Sequence, residues 1–212
     1  MKRAIVVSGG NSYKDIIEKY IEDYYIVAVD SGMNILDEMK ISPDLLVGDF
    51  DSIDKSIGTD IIENKSIEIV KRPVEKDETD TEIAIDILLE KGFKEIVLLG
   101  ATGTRIDHTL ANINLLSKIK NNNAFGRIID ANNIIEIGSD NIVIQREYDY
   151  KYLSLLPFGG KVKGISLKGF KYNAESLDMD DDSVIGISNE IISDRAEISI
   201  KKGKLLIIKS RD

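Results

Sequence analysis

Up to about residue 130 this chain alternates between continuous apolar runs and stretches with helical spacing. The apolar runs fall at 4–8, 26–29, 45–47, 67–70, 96–99 and 128–129. Runs without polar alternation suit strands covered on both faces, and the helices between them supply the covers. The clearest helix is predicted over 79–91, where Ile83 and Ile87 are four apart, as are Ala84 and Leu88. Thr79 and Glu82 are spaced as a capping box, and Gly92 stands where a C-terminal cap would. A second helix is predicted over 109–119, with Leu110, Ile113 and Leu116 on one face. The fold class is therefore α/β, with an N-terminal, mostly parallel sheet flanked by helices.

The last 70 or so residues change character. Short, partly alternating runs at 142–144, 152–156, 162–167, 184–187, 196–200 and 205–208 are separated by Gly, Pro, Asn and Asp. They predict a C-terminal antiparallel β-sandwich or small barrel, with a hairpin turn at Lys201-Lys202-Gly203-Lys204. The boundary is expected in the Asn- and Gly-containing stretch between 130 and 140, giving domains 1–132 and 133–212.

Composition narrows the chemistry. The formal net charge of −9 argues against nucleic acid as the main partner. There is no apolar run near the length of a membrane span. Met1-Lys2-Arg3 followed by a short apolar run reads as a first strand rather than a secretion signal, which points to the cytoplasm. The chain has no cysteine and one histidine, His108, which excludes thiolate zinc sites and histidine clusters.

In an open parallel sheet, ligands bind beyond the carboxyl ends of the strands. The residues that follow the apolar runs are Ser8-Gly9-Gly10, Asp30-Ser31-Gly32, Gly48-Asp49-Phe50-Asp51-Ser52, Lys76-Asp77-Glu78-Thr79-Asp80 and Gly100-Ala101-Thr102-Gly103-Thr104-Arg105-Ile106-Asp107-His108. Acidic residues, small residues and Arg105 should therefore converge on one edge. So many carboxylates cannot share a site without a cation, and oxygen ligands alone favour magnesium, manganese or calcium. Arg105 and the N–H groups of the glycine turns would suit a phosphate. The reaction class suggested is metal-assisted transfer at phosphorus. Each residue also has a plainer reading. Asp80 and Asp107 suit helix caps, Asp77 a solvated turn, and Arg105 and His108 structural pairing.

Taken together, Asp30-Ser31-Gly32-Met33-Asn34, Pro43-Asp44-Leu45-Leu46-Val47-Gly48-Asp49-Phe50-Asp51-Ser52, Asp77-Glu78-Thr79-Asp80, the run from Gly100 to His108, and Ser188-Asn189-Glu190 resemble the thiamine pyrophosphokinase family in order and spacing. The resemblance implies transfer of the pyrophosphoryl group of ATP to the hydroxyl of thiamine, giving thiamine diphosphate and AMP. It implies that Asp49, Asp51 and Asp80 hold magnesium, or manganese in its place. It puts Asp77, Asp80 and Arg105 in the catalytic region, and Asp30, Asn34, Lys76, Asp107 and His108 along the substrate cleft. Ser188 and Asn189 match the thiamine-recognition segment. It further implies a nucleotide- and metal-binding first domain, a thiamine-binding second domain, and a homodimer with the site between subunits. Thr104 stands where the family often has a second glycine, a strained place if the turn needs positive φ. The chain has no tryptophan, so any ring stacked on thiamine would be Tyr or Phe. Two rivals share the acidic cluster: a magnesium-dependent phosphohydrolase and a non-catalytic nucleotide-binding regulator.

Overall fold

Strand β1 (Arg3–Val7) is buried from Ala4 onward, and the rest of its unit is laid out to either side of it. The computed structural model describes residues 1–11, 14–49, 66–71 and 77–212. These form two compact units, Met1–Ala131 and Asn132–Asp212. In the first, β2 (Tyr25–Val29), β3 (Leu45–Gly48), β4 (Glu68–Lys71), β5 (Glu95–Leu99) and β6 (Phe125–Ile129) join β1 in the order β4-β3-β2-β1-β5-β6. All five pairings are parallel. Strands β1, β2, β3 and β5 carry the continuous burial their sequences predict, whereas β4 is an exposed edge. The order reverses at β1: the chain builds outward through β2, β3 and β4, then returns to add β5 on the other side. Such a reversal parts the loops above it and leaves a crevice.

Among the described residues this unit has helices α1 (Lys14–Glu18), α2 (Gly32–Glu38), α3 (Asp80–Glu90) and α4 (Ile106–Asn121). Helix α3 begins as predicted, with Thr79 Oγ1 accepting from the Glu82 N–H at 3.2 Å. The Glu82 carboxylate reaches Lys118 of α4 at 3.0 Å, and Asp86 takes the same ammonium at 2.6 Å. Partial burial lowers the Lys118 pKa, but the bonds to Asp86 and Glu82 outweigh it and the net shift is upward. At its C-terminus Gly92, at φ 79°, donates to Leu89 O while Phe93 N donates to Leu88 O. That pair of bonds is a Schellman cap, and it requires the left-handed residue that glycine provides. Helix α4 starts three residues earlier than predicted, and its buried face keeps Leu116 but is rotated away from Leu110. Asn112, Leu115, Leu116 and Ile119 point inward, while Leu110 is 56% exposed. No helix among the described residues is long and apolar enough to cross a membrane.

The second unit is two antiparallel sheets around one core. Strands β7 (Asn133–Gly138), β13 (Leu205–Ser210) and β9 (Tyr152–Pro157) pair in the order β7-β13-β9. Strands β8 (Asn141–Gln145), β10 (Val162–Lys168), β11 (Ala174–Met179) and β12 (Arg195–Ser199) pair in the order β11-β10-β12-β8. Leu155, Leu205 and Ile207 from one sheet meet Ile144, Ile165 and Ile198 from the other, with Phe170 fully buried among them. Truncating Phe170 to alanine would cost about 3–5 kcal/mol.

Three expectations need correction. The 201–204 turn does not close a hairpin, because β12 and β13 belong to different sheets. Instead Lys202 O accepts from Lys163 N, and the chain crosses from one sheet to the other at Gly203, φ 101°. The run 184–187 is a turn, not a strand. It touches β9 through Leu155 N to Gly186 O and Leu153 N to Asn189 O, leaving Val184, Ile185 and Ile187 exposed. Finally, β7 and polar Ala174–Met179 form strands that periodicity did not mark, while the units divide at Ala131 and Asn132, within one residue of the expected boundary.

Candidate active site

The loops after β1, β2 and β5 enclose a cleft of about 470 Å³ at the point where the strand order reverses. Its walls include Ser8, Gly10, Asp30, Thr81, Arg105 and Asn112. Backbone builds most of it. Gly10 N donates to Gly100 O at 2.9 Å, and Asn11 N to Thr102 O at 2.8 Å, so two loops from neighbouring strands are zipped together. A Cβ on Gly10 would overlap both of those carbonyl oxygens, and only glycine allows the approach. Asn112 Nδ2 donates to Ala101 O at 2.8 Å. Three successive carbonyls of the turn are thus taken by protein donors. Among the described residues, the N–H groups of Ala101, Thr102, Gly103 and Thr104 have no protein acceptor. The turn's polarity suits an anion. Neither Gly103 nor Thr104 has positive φ, so the threonine is unstrained.

Asp30 ends β2 in the left-handed region, at φ 47°. Its N–H donates to Val47 O at 3.1 Å, and its carbonyl accepts from Met33 N at the start of α2. A Cβ on Gly48 would strike the Asp30 carboxylate, so the glycine before Asp49 makes room for it. Asn34 is half-buried in α2. Asp49 follows β3 and is half-buried, Asp80 is the first residue of α3 and half-buried, and Asp77 is exposed. Neither Asp80 nor Asp107 is a helix N-cap; those positions belong to Thr79 and Arg105. Asp51 and Lys76 lie outside the described residues.

Arg105 and Asp107 form a two-point pair, Nη2 to Oδ2 at 2.6 Å and Nε to Oδ1 at 3.3 Å, with both side chains exposed. The hydrogen bond from Arg105 holds the Asp107 carboxyl below the usual carboxylate range, and the same bond raises the guanidinium. His108 is exposed and lines the cleft. Ser8, which follows the first apolar run, and Thr81, which sequence reading did not single out, are buried with their hydroxyls 3.4 Å apart. Asn112 and Thr109 of α4 were also missed. Their signal was positional, since both lie within two turns after the glycine-rich stretch.

The expected donors fit a hard divalent cation in kind: Asp49 and Asp80 offer carboxylate oxygen, and the chain has no thiol to compete. Among the described residues no three acidic or histidine side chains gather round one point.

In the second unit Ser188 is exposed at φ 58°, its N–H donating to Ser154 Oγ at 3.0 Å. Asn189 is buried and its amide is spent on the fold. Nδ2 donates to Tyr172 O at 2.8 Å, while Oδ1 accepts from Tyr172 N at 3.0 Å and from Glu190 N at 2.9 Å. The amide therefore holds Tyr172, whose side chain is exposed, beside Ser188. Lys171 and Glu190 pair at 2.8 Å over the same junction, and the Lys171 bond keeps the Glu190 carboxyl low.

Comparison with known proteins gives one answer for both units. Residues 17–125 match the family described as thiamin pyrophosphokinase, catalytic domain, and residues 140–205 match thiamin pyrophosphokinase, vitamin B1 binding domain. Thiamine pyrophosphokinase of Bacillus subtilis (strain 168) is 35% identical over 215 aligned positions, covering all of both chains. Thiamin pyrophosphokinase 1 of Caenorhabditis elegans is 28% identical over 86% of this chain and 77% of its own. The crystal structure of the Bacillus subtilis thiamine pyrophosphokinase superposes with a TM-score of 0.91 at 32% identity, covering 99% of this chain and 100% of that one. A thiamin pyrophosphokinase family protein of Enterococcus faecalis gives 0.87 at 30%, with both chains fully covered. The chain belongs to the thiamine pyrophosphokinase family.

Proposed function

We propose that this protein transfers the pyrophosphoryl group of ATP to the hydroxyl of thiamine, giving thiamine diphosphate and AMP. The observation that carries the reading is the cleft at the strand reversal, walled by a turn that offers N–H groups, in a chain that aligns end to end with a thiamine pyrophosphokinase. ATP occupies the cleft with its phosphates against residues 101–104. The thiamine hydroxyl oxygen forms a bond to the β-phosphorus. The bond from that phosphorus to the oxygen bridging toward the α-phosphate breaks, and AMP leaves with the electron pair. The hydroxyl proton passes to a carboxylate of the Asp77 and Asp80 pair. Arg105 meets the charge growing on the phosphate oxygens, and Asp107 orients it meanwhile.

Asp49, Asp51 and Asp80 would hold magnesium, or manganese in its place, which when bound supplies neutralisation of phosphate charge. Asp30 lines the cleft, Asn34 supports substrate from α2 behind it, Lys76 adds a phosphate contact, and His108 closes the rim. Ser188 presents its hydroxyl to thiamine, while Asn189 acts by holding Ser188 and Tyr172 in place. On this reading Met1–Ala131 is the nucleotide- and metal-binding part and Asn132–Asp212 the thiamine-binding part.

Each unit also exposes apolar side chains beside its own candidate residues, Ile106 and Leu110 in one and Val184, Ile185 and Ile187 in the other. Such surface suits burial against a second copy, and we assign a homodimer that shares the site. ATP as donor suits a cytoplasmic enzyme. Incubation with ATP, magnesium and thiamine should yield thiamine diphosphate and AMP by mass. Thiamine-independent release of inorganic phosphate would identify a phosphohydrolase instead, and binding without turnover a regulator.

A further inference from the structure

The polarity of the 100–104 turn depends on two side chains outside it. Asn112, buried in the second turn of α4, donates to Ala101 O at 2.8 Å. Asp130, the residue after β6, accepts from Thr102 Oγ1 at 3.0 Å through its Oδ2. Between them they hold two successive residues of the turn, Ala101 by its carbonyl and Thr102 by its side chain. We infer that Asn112 and Asp130 are positioning residues for the nucleotide: they hold the turn so that its carbonyl oxygens face protein and its N–H groups face the phosphates.

The physics is a matter of sign. A peptide that rotates presents a carbonyl lone pair where an N–H had been, and next to a polyanion that exchanges attraction for repulsion. Gly100 and Gly103 leave the turn's backbone soft, so its orientation must be imposed from outside. The loop after β1 supplies part of the restraint through Gly10 and Asn11. The rest comes from Asn112 as donor and Asp130 as acceptor, and neither need touch the nucleotide.

The inference rests on ATP phosphates lying at this turn, and a double-mutant cycle tests it apart from that reading. Steady-state kinetics are measured with ATP and thiamine varied separately for Thr102→Val, Asp130→Ala and the double variant. Each single change should raise the KM for ATP about five- to tenfold, with the KM for thiamine within about twofold and kcat within about threefold. The double variant should be no worse than the poorer single, because both remove one bond. Asp130→Asn keeps an acceptor for the threonine hydroxyl and should return to within about twofold of the natural protein. Asn112→Asp puts an acceptor against an acceptor and should raise the KM for ATP more than tenfold, an independent arm if Asp130→Ala does not fold. Additive effects in the cycle, an equal rise in both KM values, or failure of Asp130→Asn to restore would overturn the inference. If the unaltered protein makes no AMP from ATP and thiamine, the function itself is wrong; if it does and the cycle is additive, only the roles of Asn112 and Asp130 fall.

Discussion

In the first unit, main chain closes round the cleft. Gly10 and Asn11 are zipped to the turn after β5, Gly48 gives way to the Asp30 carboxylate, and the N–H groups of residues 101–104 are left without a protein acceptor among the described residues. In the second unit the corresponding segment spends its best polar side chain on itself, since Asn189 saturates its amide on Tyr172 and Glu190. What it leaves outward is Ser188, the Tyr172 ring and the apolar run from Val184 to Ile187. One unit presents a formed cavity, the other a shaped surface. The difference teaches that two equally typical motifs can be built in unlike ways, one leaving polar groups open and the other spending its best side chain on its own fold.

That contrast can be broken by substitution. The largest expected effect is Asp80→Asn, which should cut turnover by orders of magnitude while circular dichroism and melting stay near normal; a rate near that of the natural protein would remove Asp80 from the reaction. Gly10→Ala comes next. Its methyl would part the two zipped loops, and kcat/KM for ATP should fall about 10- to 100-fold, with little change in the response to thiamine at saturating ATP. Asn189→Ala should act on stability first. It strands the Tyr172 N–H and carbonyl, and should cost about 2–4 kcal/mol in denaturant unfolding. A variant with native stability and a raised thiamine KM would instead make Asn189 a direct contact. Ser188→Ala should be milder, raising the KM for thiamine a few-fold and leaving that for ATP alone. The smallest effect concerns pH. Asp107 is held below the ordinary carboxylate range, so its pairing with Arg105 is complete above that range and is lost only as pH falls through the lowered value. A carboxyl titration followed by NMR should show that low midpoint, and Arg105→Ala should return it to the usual range.

The sequence made the parallel core legible because burial on both faces leaves an unmistakable run of apolar residues, as in Ile96–Leu99. It made α3 legible because Thr79, Glu82 and Gly92 mark both ends chemically. Helix α4 was misjudged in face, since Asn112 is polar and yet buried, for the sake of Ala101, while Leu110 is apolar and yet exposed. No periodicity rule anticipates a helix turning a polar residue inward to hold a distant turn. The 184–187 run misled for the same reason in reverse: four apolar-rich residues that read as a strand are surface. The last connection was misread because Gly203 signals a bend equally well for a hairpin and for a crossing between sheets. As for the site, the acidic positions were visible from their places after strands. Thr81, Asn112 and Asp130 were not, because their part depends on contacts between segments far apart along the chain.

The zipping of the loop after β1 to the turn after β5 has a consequence for how the cleft comes into being. Gly10 and Asn11 can meet Gly100 and Thr102 only once β1 and β5 already lie side by side, and those strands form the centre of the sheet. The amide protons of Gly10 and Asn11, which lie on exposed residues, should then exchange faster than those of the central strands but more slowly than those of an unpaired loop. A nucleotide arriving at this protein would meet a cleft whose shape is set by the pairing of the central strands.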